Sequence, residues 1–189
     1  MIKFYTNREL SQKLKINLAR WKRWSREFLP PDPLGGMQSG YARQYSIDNA
    51  FTVYLGGHLV GELKYTIPEA KKILEDLKKW LKDNDFFINT KNAGKTVKDA
   101  KDFVKEYIIF ILRENDLKNN SSSFSYRIRG IINNISVDYN EYRVREERYI
   151  EEYVRIDERN KINNNIESEK MLKITMIHRY FKICLKQDL

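Results

Sequence analysis

Cysteine is almost missing: Cys184 is the only one in 189 residues, so no intramolecular disulfide can form and a reducing, cytoplasmic setting is expected. Its neighbours Ile183 and Leu185 mark a buried thiol rather than a reactive one. Histidine is scarce too. His58 and His178 stand far apart and beside no patterned nucleophile, which excludes a recognisable catalytic constellation and points to a protein that is not an enzyme. One cysteine cannot supply the ligand cluster that a soft metal takes, and the pairs Gly35-Gly36 and Gly56-Gly57 follow no phosphate-loop or dinucleotide pattern. No metal and no cofactor are therefore expected. Long apolar runs are also lacking: Tyr107 to Leu112 is the most apolar stretch, far below the ~18 residues of a spanning helix. No apolar signal segment opens the chain, so no membrane partner is expected.

What the chain has is positive charge. Lys and Arg number 35 against 26 acids, a net +9 with a pI near 9.4 and a mean hydropathy of −0.67. Such a balance suits a partner that is a polyanion and says nothing about fold. The excess is unevenly placed: residues 1–82 carry a net +7, residues 83–189 a net +2, and residues 1–45 alone a net +6. The polar joints Lys82-Asp83-Asn84-Asp85, Asn89 to Gly94 and Asn119 to Ser123 divide the chain into residues 1–82, a linking stretch 83–120, and a C-terminal module 121–189.

The basic segment reads as four helices. Thr6-Asn7-Arg8-Glu9 is a capping box that starts the first, with Leu10 and Leu14 on its inner face. Asn17 is a good N-cap for the second, whose Leu18, Trp21, Trp24 and Phe28 recur at three- to four-residue spacing. The opposite face is Ala19, Arg20, Lys22, Arg23 and Arg26. Two short helices around a tight turn, the second apolar inside and cationic outside, make a helix-turn-helix pattern suited to the major groove of DNA. An ordinary amphipathic helix with a solvated basic face has the same pattern.

After the Pro30-Pro31-Asp32-Pro33 stop and a glycine-rich tip, Tyr41-Ala42-Arg43-Gln44-Tyr45 alternates, placing Tyr41, Arg43 and Tyr45 on one side of a short hairpin. Such a wing can hold DNA backbone beside a recognition helix. Ser46 caps a third helix, weakened near its end by Gly56-Gly57. Thr66-Ile67-Pro68-Glu69 opens a fourth, with Ile67, Ala70, Ile73, Leu74, Leu77 and Leu81 in one stripe.

This order of parts resembles the N-terminal DNA-binding domain of the MerR family of transcriptional regulators. The matching stretches are Phe4-Tyr5-Thr6, Asn17-Leu18, Arg26-Glu27-Phe28-Leu29-Pro30-Pro31, Gly40-Tyr41-Ala42-Arg43-Gln44-Tyr45-Ser46 and Tyr65-Thr66-Ile67-Pro68-Glu69-Ala70. They cover residues 3–82. Lys22-Arg23-Trp24 stand where the family commonly has Arg-Tyr-Tyr, and the wing holds one extra residue between its tyrosines. The resemblance implies a winged helix-turn-helix head that binds double-stranded DNA as a homodimer on a two-fold site. It also implies RNA polymerase at the promoter as the machinery that a distorted DNA site realigns. DNA contacts are expected from Asn17, Arg20, Lys22, Arg23 and Arg26 on the second helix and from Tyr41, Arg43 and Tyr45 in the wing. Repression by occlusion is equally open, and no small-molecule effector is indicated.

Beyond residue 82, Val97, Ala100, Val104, Tyr107 and Ile111 follow helical spacing, predicting a connecting helix. It would either carry the dimer contact or pack on the C-terminal module. Residues 125–132 and 135–139, with a turn at Asn133-Asn134, and residues 142–145 read as strands. Residues 149–156 and 172–176 fit strand or helix, with strand preferred. The expected fold is thus α+β: a four-helix head, a connecting helix and a small, mainly antiparallel β module. Two other functions use the same features. One is an architectural accessory protein of recombination, as excisionases share small winged heads; the other is a module that binds RNA or a protein.

Overall fold

The computed structural model describes residues 4–32, 43–87, 104–116, 121–139, 142–154 and 166–186. The chain is α+β, with five helices and one four-stranded antiparallel sheet among the described residues. It divides into two compact units: residues 1–91 with 177–189, termed the head, and residues 92–176, the sheet unit.

In the head, a two-residue strand β1 (Tyr5–Thr6) runs into α1 (Asn7–Lys13). The capping box forms in full: the Glu9 amide donates to Thr6 Oγ1 at 3.3 Å, and Glu9 Oε2 accepts from the Thr6 amide at 2.6 Å. Helix α2 (Leu18–Phe28) starts where Asn17 Oδ1 accepts from the amides of Ala19 and Arg20 at 2.9 and 3.2 Å. Strand β2 (Gln44–Tyr45) pairs antiparallel with β1, setting Tyr45 opposite Tyr5. Ser46 caps α3 (Ile47–Gly61), and a second complete capping box opens α4 (Ile67–Asp83). All four helices begin at the side chains whose hydrogen-bonding capacity marks them in the sequence.

Helix α3 runs on through Gly56 and Gly57 to Gly61. The first two are contact points: a Cβ at Gly57 would run into the Trp24 ring, and one at Gly56 would lie 2.6 Å from the Phe28 ring. Their bare backbone lets the two aromatic rings of α2 rest directly on α3. The fully buried side chains Trp21, Leu10, Phe51, Leu55, Leu59, Ile73 and Leu77 fill the space between the helices.

The fifth helix, α5 (Ile174–Lys186), completes the head from residue 177 onward. Its Phe181, Cys184 and Leu185 are buried, and the Phe181 ring lies 5.2 Å from Phe51 and 5.4 Å from Tyr54. The His178 ring sits 4.8 Å from Phe51 and 5.2 Å from Phe86. Burial pushes its pKa down to about 4, helped by Lys182 and opposed by Asp48, and burial lowers His58 as well. In the unfolded chain both imidazoles take a proton near pH 6.5, so below that pH the unfolded state holds more protons and stability falls with pH. The melting temperature should be level above pH 7 and drop steadily from pH 6.5 to 5, before most carboxylates titrate. Thermal melts of His178→Phe, which keeps the ring contacts, should show most of that drop gone; an unchanged slope would mean that His178 is not its source.

The sheet unit consists of β3 (Glu106–Asp116), β4 (Ser121–Tyr139), β5 (Tyr142–Val154) and β6 (Ile166–Leu172) in the order β5-β4-β3-β6, every neighbour antiparallel. Ile109, Ile111, Tyr126, Ile128 and Leu172 alternate onto one buried face. Three expectations are corrected. The connecting helix is a strand where it is described, because five of the six residues Tyr107 to Leu112 are aromatic or β-branched, a run that suits a pleated surface better than one helical stripe; residues 88–103, with Val97 and Ala100, lie outside the described residues. Asn133-Asn134 is not a turn: β4 continues through it, with an irregularity between Ile131 and Asn133 absorbing the extra residue. Residues 172–176 are not one strand, since β6 ends at Leu172 and α5 starts at Ile174.

Candidate nucleic-acid interface

At 3.6 residues per turn, the four cations of α2 fan over about 160° of its surface. They therefore do not share one spot. Lys22 and Arg26 lie on the flank toward β2, Arg23 points outermost, and Arg20 turns to the other flank; all four are exposed.

The β2 flank forms a groove of about 820 Å³. Lys22 and Arg26 from α2, Arg8 from α1 and Arg43 just before β2 all line it, with Asp32 the single carboxylate among the described residues of the lining. Arg43 is held in place. Its Nη2 donates to the Pro30 carbonyl at 2.8 Å, and its guanidinium lies 5.7 Å from the centre of the Tyr45 ring. The chain leaving α2 and the chain entering β2 are thereby tied together beside the groove.

Beneath this surface the polar groups form a relay. The Tyr45 hydroxyl donates to Asn7 Oδ1 at 2.6 Å. Its one proton is thus committed, so the 2.6 Å contact with Ser25 Oγ must have the serine as donor. Ser25 is buried, Tyr45 is only 1% exposed, and the Trp21 ring meets Tyr45 edge-on at 5.9 Å. These bonds fix α1, α2 and β2 against one another, and with them the spacing of the four cations.

The structure thus sorts the residues predicted from sequence. Lys22, Arg26 and Arg43 converge on one groove. Tyr45 also lines the groove, but with 1% of its surface exposed it supports it from below. Asn17 uses its side-chain oxygen as the α2 cap. Arg20 lies 6.0 Å from the Trp24 ring, in a separate cleft of about 340 Å³ that also includes His58 and Tyr180. Tyr41 and the glycine-rich tip lie outside the described residues. Arg8 was missed, though one signal pointed to it. It occupies the first turn of α1, where the helix dipole disfavours a cation, so its local cost asks for another reason to be there.

Four cations from three stretches of chain, with one carboxylate among the described lining residues, can bind a run of anionic oxygens. Three of them are guanidiniums whose planar forks match phosphate geometry. No metal cluster of three or more His, Cys, Asp or Glu occurs among the described residues, and no helix there is long and apolar enough to cross a membrane. Comparison with protein-family models, with curated proteins and with solved structures returns no match.

Proposed function

We propose that the head is a reader of double-stranded DNA of the winged helix-turn-helix kind, resembling the MerR regulators, in a sequence-specific transcriptional regulator that works as a dimer on a two-fold site. The observation that carries this reading is the convergence of Arg8, Lys22, Arg26 and Arg43 along one flank of α2. In this arrangement α2 enters the major groove with Arg23 foremost toward base edges, while the four groove cations hold phosphates on one side. The protein's part is binding and DNA distortion rather than catalysis, with RNA polymerase as the machinery affected at a promoter.

Support also comes from rigidity. Side chains that must read a duplex need a fixed spacing, and here the relay Ser25–Tyr45–Asn7 and the Arg43–Pro30 bond provide it. Selection of bound sequences from a random duplex pool tests the proposal directly. A single inverted repeat should emerge, with half-sites centred about 10 base pairs apart or a multiple of that. Several direct repeats would point instead to an architectural accessory of recombination, and recovery of no common sequence would remove the claim of specificity.

A further inference from the structure

The flank of α2 turned away from the groove carries the separate cleft of about 340 Å³. Four pieces of the head meet in it: the α1–α2 turn with Lys15, α2 with Arg20 and Trp24, α3 with Tyr54, Gly57 and His58, and α5 with Tyr180. Glu62, the C-cap of α3, lines it as well. These walls are fixed. Ser11 Oγ donates to the Ile16 carbonyl at 2.7 Å and closes the turn, the bare Gly57 lets Trp24 rest on α3, and Phe181 of α5 lies 5.4 Å from the Tyr54 ring.

Most of its polar groups are donors with nothing in the protein to bond. The Arg20 guanidinium, the Lys15 ammonium, the Tyr54 hydroxyl and the His58 ring make no hydrogen bond or ion pair with a described residue. Arg20 meets the Trp24 ring at 6.0 Å, the outer limit of a cation–π contact, so its five N–H groups stay open. Burial pushes Tyr54 up to about 12, with Tyr180, Cys184 and Glu62 adding to the shift, and the hydroxyl therefore keeps its proton to donate at neutral pH. His58, whose charged form burial disfavours, presents one N–H and one acceptor nitrogen. Tyr180, 50% exposed, is already hydrogen-bonded to Cys184 and serves as a wall.

We infer that this cleft binds a small aromatic carboxylate. Arg20 and Lys15 supply the cations for its carboxylate, with the planar fork of Arg20 suited to both oxygens. The Tyr54 hydroxyl and the His58 N–H are further donors for the same oxygens, and Trp24 and Tyr180 flank the ring. A few open polar groups gathered among aromatic walls are what orient a ligand in a small-molecule site.

Charge and size narrow the choice. Two cations against Glu62, the one carboxylate among the described lining residues, leave a single net positive charge. That matches a monoanion better than a phosphate dianion or a polyanion. The volume lies at the low end of the roughly 300–1,000 Å³ of small-molecule sites, room for a fused bicyclic acid and too little to enclose a nucleotide. This site goes beyond the DNA reading above and is measured without DNA, so either can fail while the other stands.

Isothermal titration of the full chain with 2-naphthoate should give a dissociation constant on the order of 100 µM. Acetate, which lacks the ring, and 2-naphthylmethylamine, which reverses the charge, should each bind at least about tenfold more weakly. In nitrogen-15 spectra the indole N–H of Trp24 should move further on titration than those of the buried Trp21 and Trp80. Arg20→Ala, and Tyr54→Phe, which keeps the ring against Phe181, should each weaken binding at least about fivefold with an unaltered circular dichroism spectrum. Arg20→Lys is the milder variant and should bind better than Arg20→Ala. No heat and no Trp24 shift up to about 5 mM, equal binding of the amine, or an affinity that survives both substitutions would overturn the inference. So would an affinity lost in Arg26→Ala but kept in Arg20→Ala, since the ligand would then sit in the groove.

Discussion

A chain ended after Met176 should fail to form a stable head, although it keeps every residue of α1 to α4. The cut removes Phe181, Cys184 and Leu185, all buried, and uncovers Phe51, which α5 covers through His178 and Phe181. Burying a Phe or Leu side chain contributes about 1.5–3 kcal/mol. With the newly exposed apolar surface of α3 added, the loss is on the order of 5–8 kcal/mol, against a total stability of about 5–15 kcal/mol for a domain. Phe181→Ala alone should cost about 3–5 kcal/mol. Urea titration followed by the fluorescence of Trp21, Trp24 and Trp80 checks both. The truncated chain should show little or no cooperative transition, and the point variant a midpoint shifted down with an unchanged slope. A truncated chain as stable as the full one would mean that α5 merely lies on the head.

That dependence on α5 could not be read from sequence. Helices α1 to α4 were legible because each opens on a side chain that satisfies otherwise orphaned amides: Thr6, Asn17, Ser46 and Thr66. Each such signal is local, depending on residues within one turn. Helix α5 begins with the β-branched pair Ile174-Thr175, which suits a strand as well as a helix, and no local rule says that Phe181 belongs against Phe51, 130 positions earlier. Strand β3 failed for a related reason. When Tyr107 to Leu112 are all apolar, spacings of three and four can be found as readily as spacings of two, and only pairing with β4 and β6 decides.

The interface divided the same way. Lys22 and Arg26 could be assigned from helix phase, because Trp21 and Phe28 fix which side is inside. Whether Tyr45 faced out depended on a tertiary fact: two hydroxyl partners, Ser25 and Asn7, wait for it in the interior. Alternation placed Tyr45 on the same side as Arg43, but it could not tell that the ring is buried. Arg8 was visible only as a cation in an unfavourable helix turn, a violation whose compensation lies across the groove.

The second large effect concerns those groove cations. A chain with Arg8, Lys22, Arg26 and Arg43 all replaced by alanine should lose duplex binding while keeping its fold, since Arg8, Lys22 and Arg26 are exposed and Arg43 contributes a solvent-facing bond to Pro30. If each cation neutralises one phosphate, the slope of log K against log salt becomes shallower by about 3.6. For the intact groove this means that raising salt from 50 to 200 mM weakens binding by about 10²-fold through these contacts alone. Fluorescence anisotropy with a labelled duplex, repeated across salt concentrations, reads both affinity and slope. Arg20→Ala is the control, because Arg20 faces the opposite cleft and should leave the slope within about one unit. Arg23→Ala should behave differently again, reducing discrimination between selected and random duplexes by about 1–3 kcal/mol if it reads a base edge. A fourfold variant whose salt slope matches wild type would show that duplex DNA does not use this groove, whatever else the head binds.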